Sequence, residues 1–322
     1  MSPPMTCILC GQSKGRTLYE VESAAGVSKH WKFEIVRCND CGLVYTQPQL
    51  SREDLRACYT EAYYLKDRLR LKSFLEDDIP WLRRADRVGK YARGGSILDI
   101  GCGSGGFLRS LDTQRWQKYG VEVSPVPAKS AQQQVDIDVF VGDLREANFL
   151  DDQFDVITLW HVFEHLHEPR EVLQEIKRIL KRGGLLLIAV PNFESLERKL
   201  TKEEWYHLDI PRHLFHFSPE TIGKMLRKAN FKILKVRHFE LKNWYGFLQS
   251  SLNTFGFKRD LLRNWLGGRL EGSEITWRYR VQIYMVLAGL PLLSVMVMLL
   301  TLFENSVRMG GTIEVYAEND KV

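Results

Sequence analysis

The 322-residue sequence lacks the features that mark several large classes of protein. It opens with MSPPMTCILC, in which no positively charged segment precedes an apolar one, so no cleaved secretory signal is expected and we predict a cytoplasmic protein. The formal net charge is only +5 and no long run of lysine or arginine occurs, which argues against a dedicated nucleic-acid binder. Six cysteines are too few for a disulfide scaffold, and there is neither an internal repeat nor a low-complexity tract. What remains is an ordinary globular composition, with 44% apolar residues to bury a large core.

Four of the cysteines form two Cys-x-x-Cys pairs, Cys7 with Cys10 and Cys38 with Cys41, which are separated by 27 residues. Four thiolates make the closed tetrahedral shell of a structural zinc site, and a glycine follows each pair, as in zinc ribbons. A redox Cys-x-x-Cys is the rival interpretation, but the strand–helix unit that normally surrounds it is missing. We therefore predict a zinc-ribbon module over residues 1–50, in which a structural Zn²⁺ supplies the folding energy.

An alternation of short apolar runs and helical patterns begins near residue 96 and predicts an α/β fold. The strand candidates are 96–101, 118–123, 138–142, 154–160, 185–191, 231–240 and 312–318. Helical patterns lie at 105–114, 171–181 and 219–229, with Lys181–Gly184 read as a cationic last turn and a glycine stop. A helical lead-in over 51–95 precedes the first strand. Continuous apolar strands separated by helices predict a mainly parallel sheet that is covered on both faces.

A glycine-rich turn follows the first predicted strand, in the run ILDIGCGSGG. Gly101 and Gly103 let the chain turn sharply and let a ligand approach the backbone amides. This pattern fits a dinucleotide as well as a methyl donor, and Glu122, which ends the second strand, could bind the ribose hydroxyls of either. Asp99 favours the methyl donor, because a carboxylate could serve the donor's amino-acid end whereas a pyrophosphate would gain nothing from it.

Three further motifs follow in order: Gly142-Asp143-Leu144, FDVITLWHVFEHLHEP (154–169) and LKRGGLLLIAVPN (180–192). With the glycine turn, they resemble the class I S-adenosylmethionine-dependent methyltransferases over residues 90–240. The resemblance implies a Rossmann-like seven-stranded core over 96–240 that is completed by a last strand at 311–322, with S-adenosyl-L-methionine as cofactor. It implies donor contacts at Asp99, Gly101, Gly103, Glu122, Asp143 and Leu144, with Trp160 near the pocket floor. A Rossmann-type oxidoreductase, or a sheet with no cofactor, is the rival interpretation.

The segments RCNDCGLVYTQPQL (37–50) and CYTEAYY (58–64) resemble the N-terminal region of bacterial methyltransferases that act on sugars and cell-surface polysaccharides. This resemblance implies a sugar or glycan-related acceptor in cell-envelope glycan biosynthesis. The ubiquinone-pathway O-methyltransferases look similar over the core, so an isoprenoid quinone precursor is the alternative acceptor. An alternative of another class is a zinc-ribbon binding or scaffold protein with a degenerate methyltransferase domain.

Histidines in two segments are candidates for the general base that a hydroxyl or carbon acid would need. His161, Glu164 and His165 follow the fourth strand with spacing that a helix would place on one face, at the ligand crevice. A second set, His213 and His216, lies in PRHLFHFS (211–218).

The sugar C-methyltransferases with this ribbon carry a Glu-His pair that matches Glu164-His165, which implies that His165 is the base. We take His165, Glu164, His161 and His213 as catalytic candidates. The ubiquinone-pathway enzymes have Glu at the place of His161, and there the cluster is associated with a divalent metal, which remains an alternative here. Three other histidines, His167, His207 and His238, are predicted to be ordinary polar positions.

Residues 241–310 interrupt the alternation before the last strand, and residues 281–303 contain no charge over 23 positions. That is long enough to span a bilayer, but Pro291 would break a helix and the last strand must return to the sheet. We therefore expect a helical hairpin or shallow re-entrant element at the inner face of the membrane. Eight Lys/Arg against four Asp/Glu in 241–310, with several Trp and Tyr, suit a membrane surface. The expected partners are this surface and a small-molecule or lipid-linked acceptor, with no nucleic acid, and a buried homodimer interface is the alternative.

Overall fold

A computed structural model describes residues 6–22, 31–58, 79–134, 136–238, 243–257, 261 and 276–321. Within them the chain forms one four-stranded and one seven-stranded β-sheet. The strands are β1 (Gly15–Glu22), β2 (Lys32–Cys38), β3 (Val44–Gln47), β4 (Gly95–Ile100), β5 (Trp116–Glu122), β6 (Ile137–Val141), β7 (Phe154–Trp160), β8 (Leu180–Pro191), β9 (Phe215–His216), β10 (Phe231–Arg237) and β11 (Thr312–Asn319). The helices are α1 (Arg52–Ala57), α2 (Ile79–Val88), α3 (Gly106–Arg109), α4 (Pro125–Gln132), α5 (Pro169–Ile179), α6 (Leu196–Thr201), α7 (Pro219–Lys228), α8 (Asn243–Thr254) and α9 (Trp277–Ser306).

The larger sheet has the strand order β10-β11-β8-β7-β4-β5-β6. The strands from β6 to β8 in this order are parallel, whereas β11 runs antiparallel to both of its neighbours, β8 and β10. Each strand lies within a few residues of its predicted place, so the prediction of a Rossmann-like seven-stranded sheet is confirmed. After β4 the chain builds one side of the sheet and then returns to build the other from β7. At such a reversal the carboxyl ends of neighbouring strands open into a ligand crevice.

Both faces of the sheet are covered, which explains the unbroken apolar run in β8. Leu186 and Ile188 face the core that α5 and α7 cover, whereas Leu187 and Ala189 face the core formed with α3 and α4. Successive side chains of a strand point to opposite faces, so every position of a doubly covered strand must be apolar.

The start of β8 differs from the sequence prediction. Helix α5 ends at Ile179, and Lys181–Gly184 belongs to β8, so the prediction of a last helical turn there was wrong. Lys181 Nζ pairs with both carboxylate oxygens of Asp155 on β7 at 2.8 Å, which draws the chain into the sheet. Within the predicted lead-in helix, α2 is helical as expected, and residues 59–78 lie outside the described residues.

The four-stranded sheet joins the cysteine module to the core. Its order is β1-β2-β3-β9, and β9 comes from the segment that follows the candidate His213. Residues Val44 and Tyr45 pair antiparallel with His216 and Phe215. The buried side chains of β2 and β3 form one continuous hydrophobic core with those beneath the larger sheet. The module is therefore attached to the core directly beside the candidate catalytic segment.

The apolar segment forms helix α9, which continues through Pro291 without interruption. The expectation of a break there, and of a helical hairpin, was therefore wrong, whereas a re-entrant placement at a membrane stays a prediction. Proline removes one backbone hydrogen bond, but its φ lies in the helical range, and long apolar helical stretches continue on both sides. One face of α9, at Tyr279, Val286 and Val297, packs with α8, and the helix is long and apolar enough to cross a membrane by length and composition.

Candidate active site

The loop after β4 places backbone atoms at the crevice. Gly101 and Gly103 have φ values of 72° and 55°, in the left-handed region that favours glycine. A side chain on Gly101 would strike Val162, whereas nothing lies within 4 Å of a Cβ built on Gly103. The backbone at Gly103 therefore faces open space that a ligand can enter.

Two buried carboxylates connect this loop to the neighbouring strands. Glu122 at the end of β5 accepts hydrogen bonds from Gly103 N at 3.0 Å and from Ser124 N at 2.8 Å. Burial raises its pKa, although these amides act in the opposite direction. Asp99 accepts a hydrogen bond from Thr158 Oγ1 of β7 at 2.6 Å, and burial raises its pKa to about 7. Both acids lie where the sequence predicted donor contacts.

Arg84, which was not among the predicted site residues, belongs to the same group of side chains. The Arg84 guanidinium lies 4.7 Å from the ring centre of Trp81 and 4.5 Å from that of Trp160, a cation–π arrangement. Its charge opposes the rise in the pKa of Asp99. The buried Trp160 Nε1 has no hydrogen-bond partner, so it is available to a ligand. The sequence feature that could have indicated this contact is the spacing of Trp81 and Arg84, which lie one helical turn apart in α2.

Asp143 and Leu144 lie at the end of β6. Asp143 caps the 3₁₀ turn Leu144–Ala147, where its Oδ1 accepts a hydrogen bond from Arg145 N at 3.1 Å, and Leu144 is buried. All seven donor candidates thus belong to the carboxyl edge formed by β4, β5, β6 and β7. Open backbone at one glycine, two buried acids and an unpartnered indole N–H together fit a nucleoside with an amino-acid tail, and these residues would hold S-adenosylmethionine.

The segment after β7 is not the helix that the spacing suggested. His161 has φ 57° and its N–H donates to Ala189 O at 2.9 Å, which continues the pairing of β7 with β8. Only a single 3₁₀ turn follows, Phe163–His165. Because His161 has a left-handed backbone and its N–H bonds to β8, no helix begins here, and the helical face predicted for His161, Glu164 and His165 was wrong.

Glu164 is nevertheless the centre of a histidine cluster. It is 1% exposed, and neither of its carboxylate oxygens has a hydrogen bond. The imidazole of His161 lies 3.6 Å from Oε1 and that of His213 lies 4.0 Å from it. Burial alone would raise the pKa of Glu164, but the neighbouring imidazoles of His161, His165 and His213 act in the opposite direction and lower it to about 2. A buried carboxylate therefore remains ionised beside these rings.

The two histidine sets that the sequence kept apart meet in one place. His165 Nδ1 lies 2.9 Å from Arg212 O, and His213 Nδ1 lies 2.8 Å from His207 O. A carbonyl only accepts, so both Nδ1 atoms carry a hydrogen, and in the neutral form of either ring Nε2 keeps a lone pair. Burial, followed by the neighbouring imidazole of His165, lowers the pKa of His213 to about 4, which favours the neutral form of that ring. Each ring is thus prepared to accept a proton or to bind a cation.

A metal could occupy the same cluster. One ligand atom each from Glu164, His165 and His213 lie within 4.8 Å of one another, and histidines that bind metals usually donate their other N–H to an oxygen. His207, which the sequence analysis set aside, supplies the carbonyl for His213, and its ring lies against Gly246 of α8. The position of His207 in the sequence gave no indication that its carbonyl orients His213.

The four module cysteines also meet. Cys7 Sγ lies 3.4 Å from Cys41 Sγ, and Cys10 Sγ lies 3.5 Å from Cys38 Sγ. A tetrahedron with Zn–S bonds of about 2.3 Å has edges of roughly 3.8 Å, so a small outward adjustment would admit zinc. Burial would raise the pKa of Cys38, but backbone N–H groups of Cys41 and Asp40 lower it to about 7. This donor set fits a structural Zn²⁺.

Comparisons with known proteins agree with this geometry. The sequence profile described as "Methyltransferase domain" matches residues 72–236. An uncharacterized protein of Methanocaldococcus jannaschii is 27% identical over 186 residues, 54% of this chain and 88% of that protein. The mitochondrial ubiquinone biosynthesis O-methyltransferase of Schizosaccharomyces pombe is 32% identical over 157 residues, 45% of this chain and 57% of that enzyme. The chain therefore spans less than two thirds of that enzyme's length.

A solved structure shares the fold. Phosphoethanolamine N-methyltransferase 2 of Haemonchus contortus, in complex with S-adenosyl-L-methionine, superposes with a TM-score of 0.53 at 17% identity, over 90% of this chain and 63% of that chain. Since the family profile covers half of the sequence and falls on the strands that build the donor crevice, this chain belongs to the methyltransferase-domain family and is a class I S-adenosylmethionine-dependent methyltransferase.

Proposed function

We propose that this enzyme methylates a sugar or glycan-related acceptor, carried on a lipid, at the inner face of the cytoplasmic membrane, in cell-envelope glycan biosynthesis. The observation that carries the chemistry is the imidazole of His165, whose Nδ1–H is held by Arg212 O beside the ionised Glu164. Such a ring is a general base with a fixed orientation.

The reaction requires few groups. Attack on the donor's methyl carbon needs the acceptor oxygen or carbon in line at about 3 Å, and the proton it loses must be accepted. His165 Nε2 takes that proton, and the Glu164 carboxylate stabilises the resulting imidazolium. Bound in the crevice, S-adenosylmethionine would supply the methyl group from its sulfonium and would leave as a neutral thioether, so that with the proton on His165 charge and atoms balance.

The outer face of α9 supports a membrane-bound acceptor. Leu292, Leu299 and Trp277 are 80%, 62% and 71% exposed. A helix that is apolar on all sides must be covered, and its opposite face already packs on α8. Arg278 and Arg280 at its beginning suit an anionic lipid surface.

Contacts between α8 and the segment that precedes His213 support a role of the insertion in presenting the acceptor. Ser250 Oγ of α8 lies 2.8 Å from Tyr206 N, which donates to it, and Gly246 of α8 lies against the ring of His207. The helix that packs against the apolar α9 therefore contacts residues 206 and 207, and the carbonyl of His207 accepts from His213 of the cluster. An acceptor anchored in a membrane beneath α9 would enter the cleft beside α8.

A second acceptor is favoured by the relative from Schizosaccharomyces pombe, whose name assigns it to ubiquinone biosynthesis. An isoprenoid quinone precursor presents a phenolic hydroxyl on a lipid, which the same base and apolar surface would serve. The sugar acceptor is supported instead by the resemblance of the cysteine module to that of sugar methyltransferases.

Transfer of a labelled methyl group from S-adenosylmethionine distinguishes the acceptors. The protein would be incubated with polyprenyl-linked sugars or with demethylated quinone precursors, each in detergent, and the lipid product would be analysed by mass spectrometry. We expect a mass increase of one methylene on the sugar. Methylation of the quinone precursor alone would establish the second candidate. Tight donor binding with no transfer to either pool would favour the scaffold alternative.

A further inference from the structure

The cysteine module contacts the candidate catalytic segment through a single strand, β3. Its Thr46 N–H donates to Leu214 O at 3.0 Å, and Thr46 is 1% exposed. The β3–β9 pairing is the edge of the module's sheet, so the module holds one side of the chain from His213 to His216.

The hydroxyl of Thr46 makes two contacts of different kinds. Its oxygen lies 2.8 Å from His213 O and 3.1 Å from His216 Nε2. The carbonyl can only accept, so the single hydroxyl hydrogen points to His213 O. The hydroxyl oxygen then accepts from the Nε2–H of His216, a ring that is buried and neutral because burial lowers its pKa to about 3. The Thr46 hydroxyl thus fixes both the position of the His213 carbonyl and the tautomer of the His216 ring.

The held segment continues directly into the catalytic cluster. Leu214 N donates to Glu164 O at 2.9 Å, and Arg212 O accepts from His165 Nδ1 at 2.9 Å. The ring centres of His165 and His213 are 4.6 Å apart. A displacement of residues 212–216 therefore moves the ring of His213, the carbonyl that orients His165 and the backbone of Glu164 together.

The other end of β3 begins at the metal site. Cys41 lies five positions before Thr46, and the turn between the last two cysteines is closed by Gly42 N to Cys38 O at 3.1 Å and by Cys38 N to Leu43 O at 2.9 Å. A module of this length has little core of its own, so bound metal would supply much of the stability that keeps β3 in place.

We propose that the zinc module is a positioning element for methyl transfer, which acts through the Thr46 hydroxyl on residues 212–216. Thr46 is a positioning residue: it touches neither donor nor acceptor and sets the geometry of His213 and of the carbonyl that orients His165. This inference rests on the proposed function for the identity of the catalytic cluster.

Three variants test the role of the hydroxyl. Thr46→Val removes it while keeping the shape and the strand preference, and Thr46→Ser restores it. The matched control is Thr17→Val on β1, whose exposed hydroxyl donates to Glu34 Oε2 at 3.1 Å within the same sheet and far from the segment. Readouts that need no acceptor are hydrogen exchange of residues 212–217, the His216 tautomer by long-range nitrogen NMR, and binding of S-adenosylhomocysteine.

We expect Thr46→Val to speed exchange in residues 212–217 and to move His216 away from the pure Nε2–H tautomer, with S-adenosylhomocysteine affinity unchanged. Turnover on whichever lipid pool the wild-type enzyme methylates should fall about tenfold or more, since small misplacements of catalytic groups are costly. Thr46→Ser and Thr17→Val should behave as wild type. Wild-type exchange and tautomer in a folded Thr46→Val protein would overturn the proposal.

The wild-type protein provides the second measurement if Thr46→Val does not fold. Removal of metal with a chelator should produce the same increase in exchange at residues 212–217 while S-adenosylhomocysteine still binds, and added Zn²⁺ should reverse it. An unchanged segment after complete metal loss would refute the coupling. If His165→Ala keeps full turnover while Thr46→Val still loosens the segment, the proposed base fails and the coupling stands.

Discussion

The donor side and the acceptor side of the crevice are built in different ways. The seven donor candidates sit at the carboxyl ends of four neighbouring strands, and two of the acids among them, Asp99 and Glu122, are held by bonds to the adjoining strand or loop. The proposed acceptor side is formed by four parts of the chain: the turn at His161–His165, the segment 207–216, Thr46 of the module, and α8. A donor residue should therefore act locally, whereas a change on the acceptor side should be felt across segments far apart in sequence.

Substitution of His165 is expected to show the largest difference between the effect on turnover and the effect on donor binding. His165→Ala should lower turnover by about 10²–10⁴, the usual contribution of a general base, while S-adenosylhomocysteine binds with unchanged affinity. The control is His167→Ala, whose ring contacts Leu50 O at 3.0 Å and not the cluster. Full activity in His165→Ala would shift the base to His213. Loss of S-adenosylhomocysteine affinity would contradict the independence of the two sides. Restoration of turnover by added Mg²⁺ would favour a metal at Glu164.

The proposed contact of α9 with a membrane is tested on its exposed leucines. Leu292→Gln with Leu299→Gln should weaken flotation with anionic vesicles by at least about 10²-fold, because each exposed leucine contributes about 1.5–3 kcal/mol when buried in lipid. Donor affinity should not change. Leu234→Gln, at an exposed leucine of β10, is the matched control. A wild-type protein that remains a soluble dimer and ignores vesicles would show that a second copy covers α9.

On the donor side the largest effect is expected at Glu122. Glu122→Ala removes a charged acceptor of two backbone N–H groups and should weaken S-adenosylhomocysteine binding about tenfold or more in calorimetry. Glu122→Gln keeps an acceptor and should lose less. Turnover at saturating donor should stay near wild type. A strong loss of turnover with intact binding would mean that the two sides are not separable at this strand end.

The smallest effect concerns the junction of α6, α8 and α9. Glu197 is fully buried and accepts from Ser250 Oγ at 2.6 Å, while burial and then the nearby Glu304 raise its pKa to about 8 from an ordinary 4.5. The folded state favours the protonated acid, so this stability is complete below about pH 4.5 and is lost as pH rises through 8.

Glu197→Gln keeps the neutral form at every pH. It should raise the melting temperature by about 2–4 °C near pH 8.5 and leave it unchanged near pH 4, where Glu197 is protonated in the folded and unfolded states alike. Exposed Glu20→Gln is the control. An equal shift at both pH values would show that ionisation of Glu197 does not limit stability.

Several sequence predictions failed where a distant contact decided the local structure. Lys181 lies in β8 rather than ending a helix, because β8 pairs with β7 from Leu180 onward. His161 is not helical because its N–H bonds to Ala189 of the neighbouring strand. Helix α9 passes through Pro291 where a break was expected, since one lost hydrogen bond is small against a long helix packed along α8. Local propensity is a weak guide wherever such contacts compete with it.

The sequence by itself determined the order and places of the seven strands, the glycine loop with Asp99 and Glu122, and the pairing of the cysteines into one cluster. Each of these depends on periodicity or spacing over a few residues, or on strand ends that parallel pairing necessarily brings to one edge. Only the tertiary structure joined His165 to His213, placed Arg84 against Trp160 and attached β3 to the catalytic segment. Those contacts join residues that lie from dozens to more than 150 positions apart in the sequence. Their partners are determined by the packing of the whole chain, so no local sequence pattern predicts them.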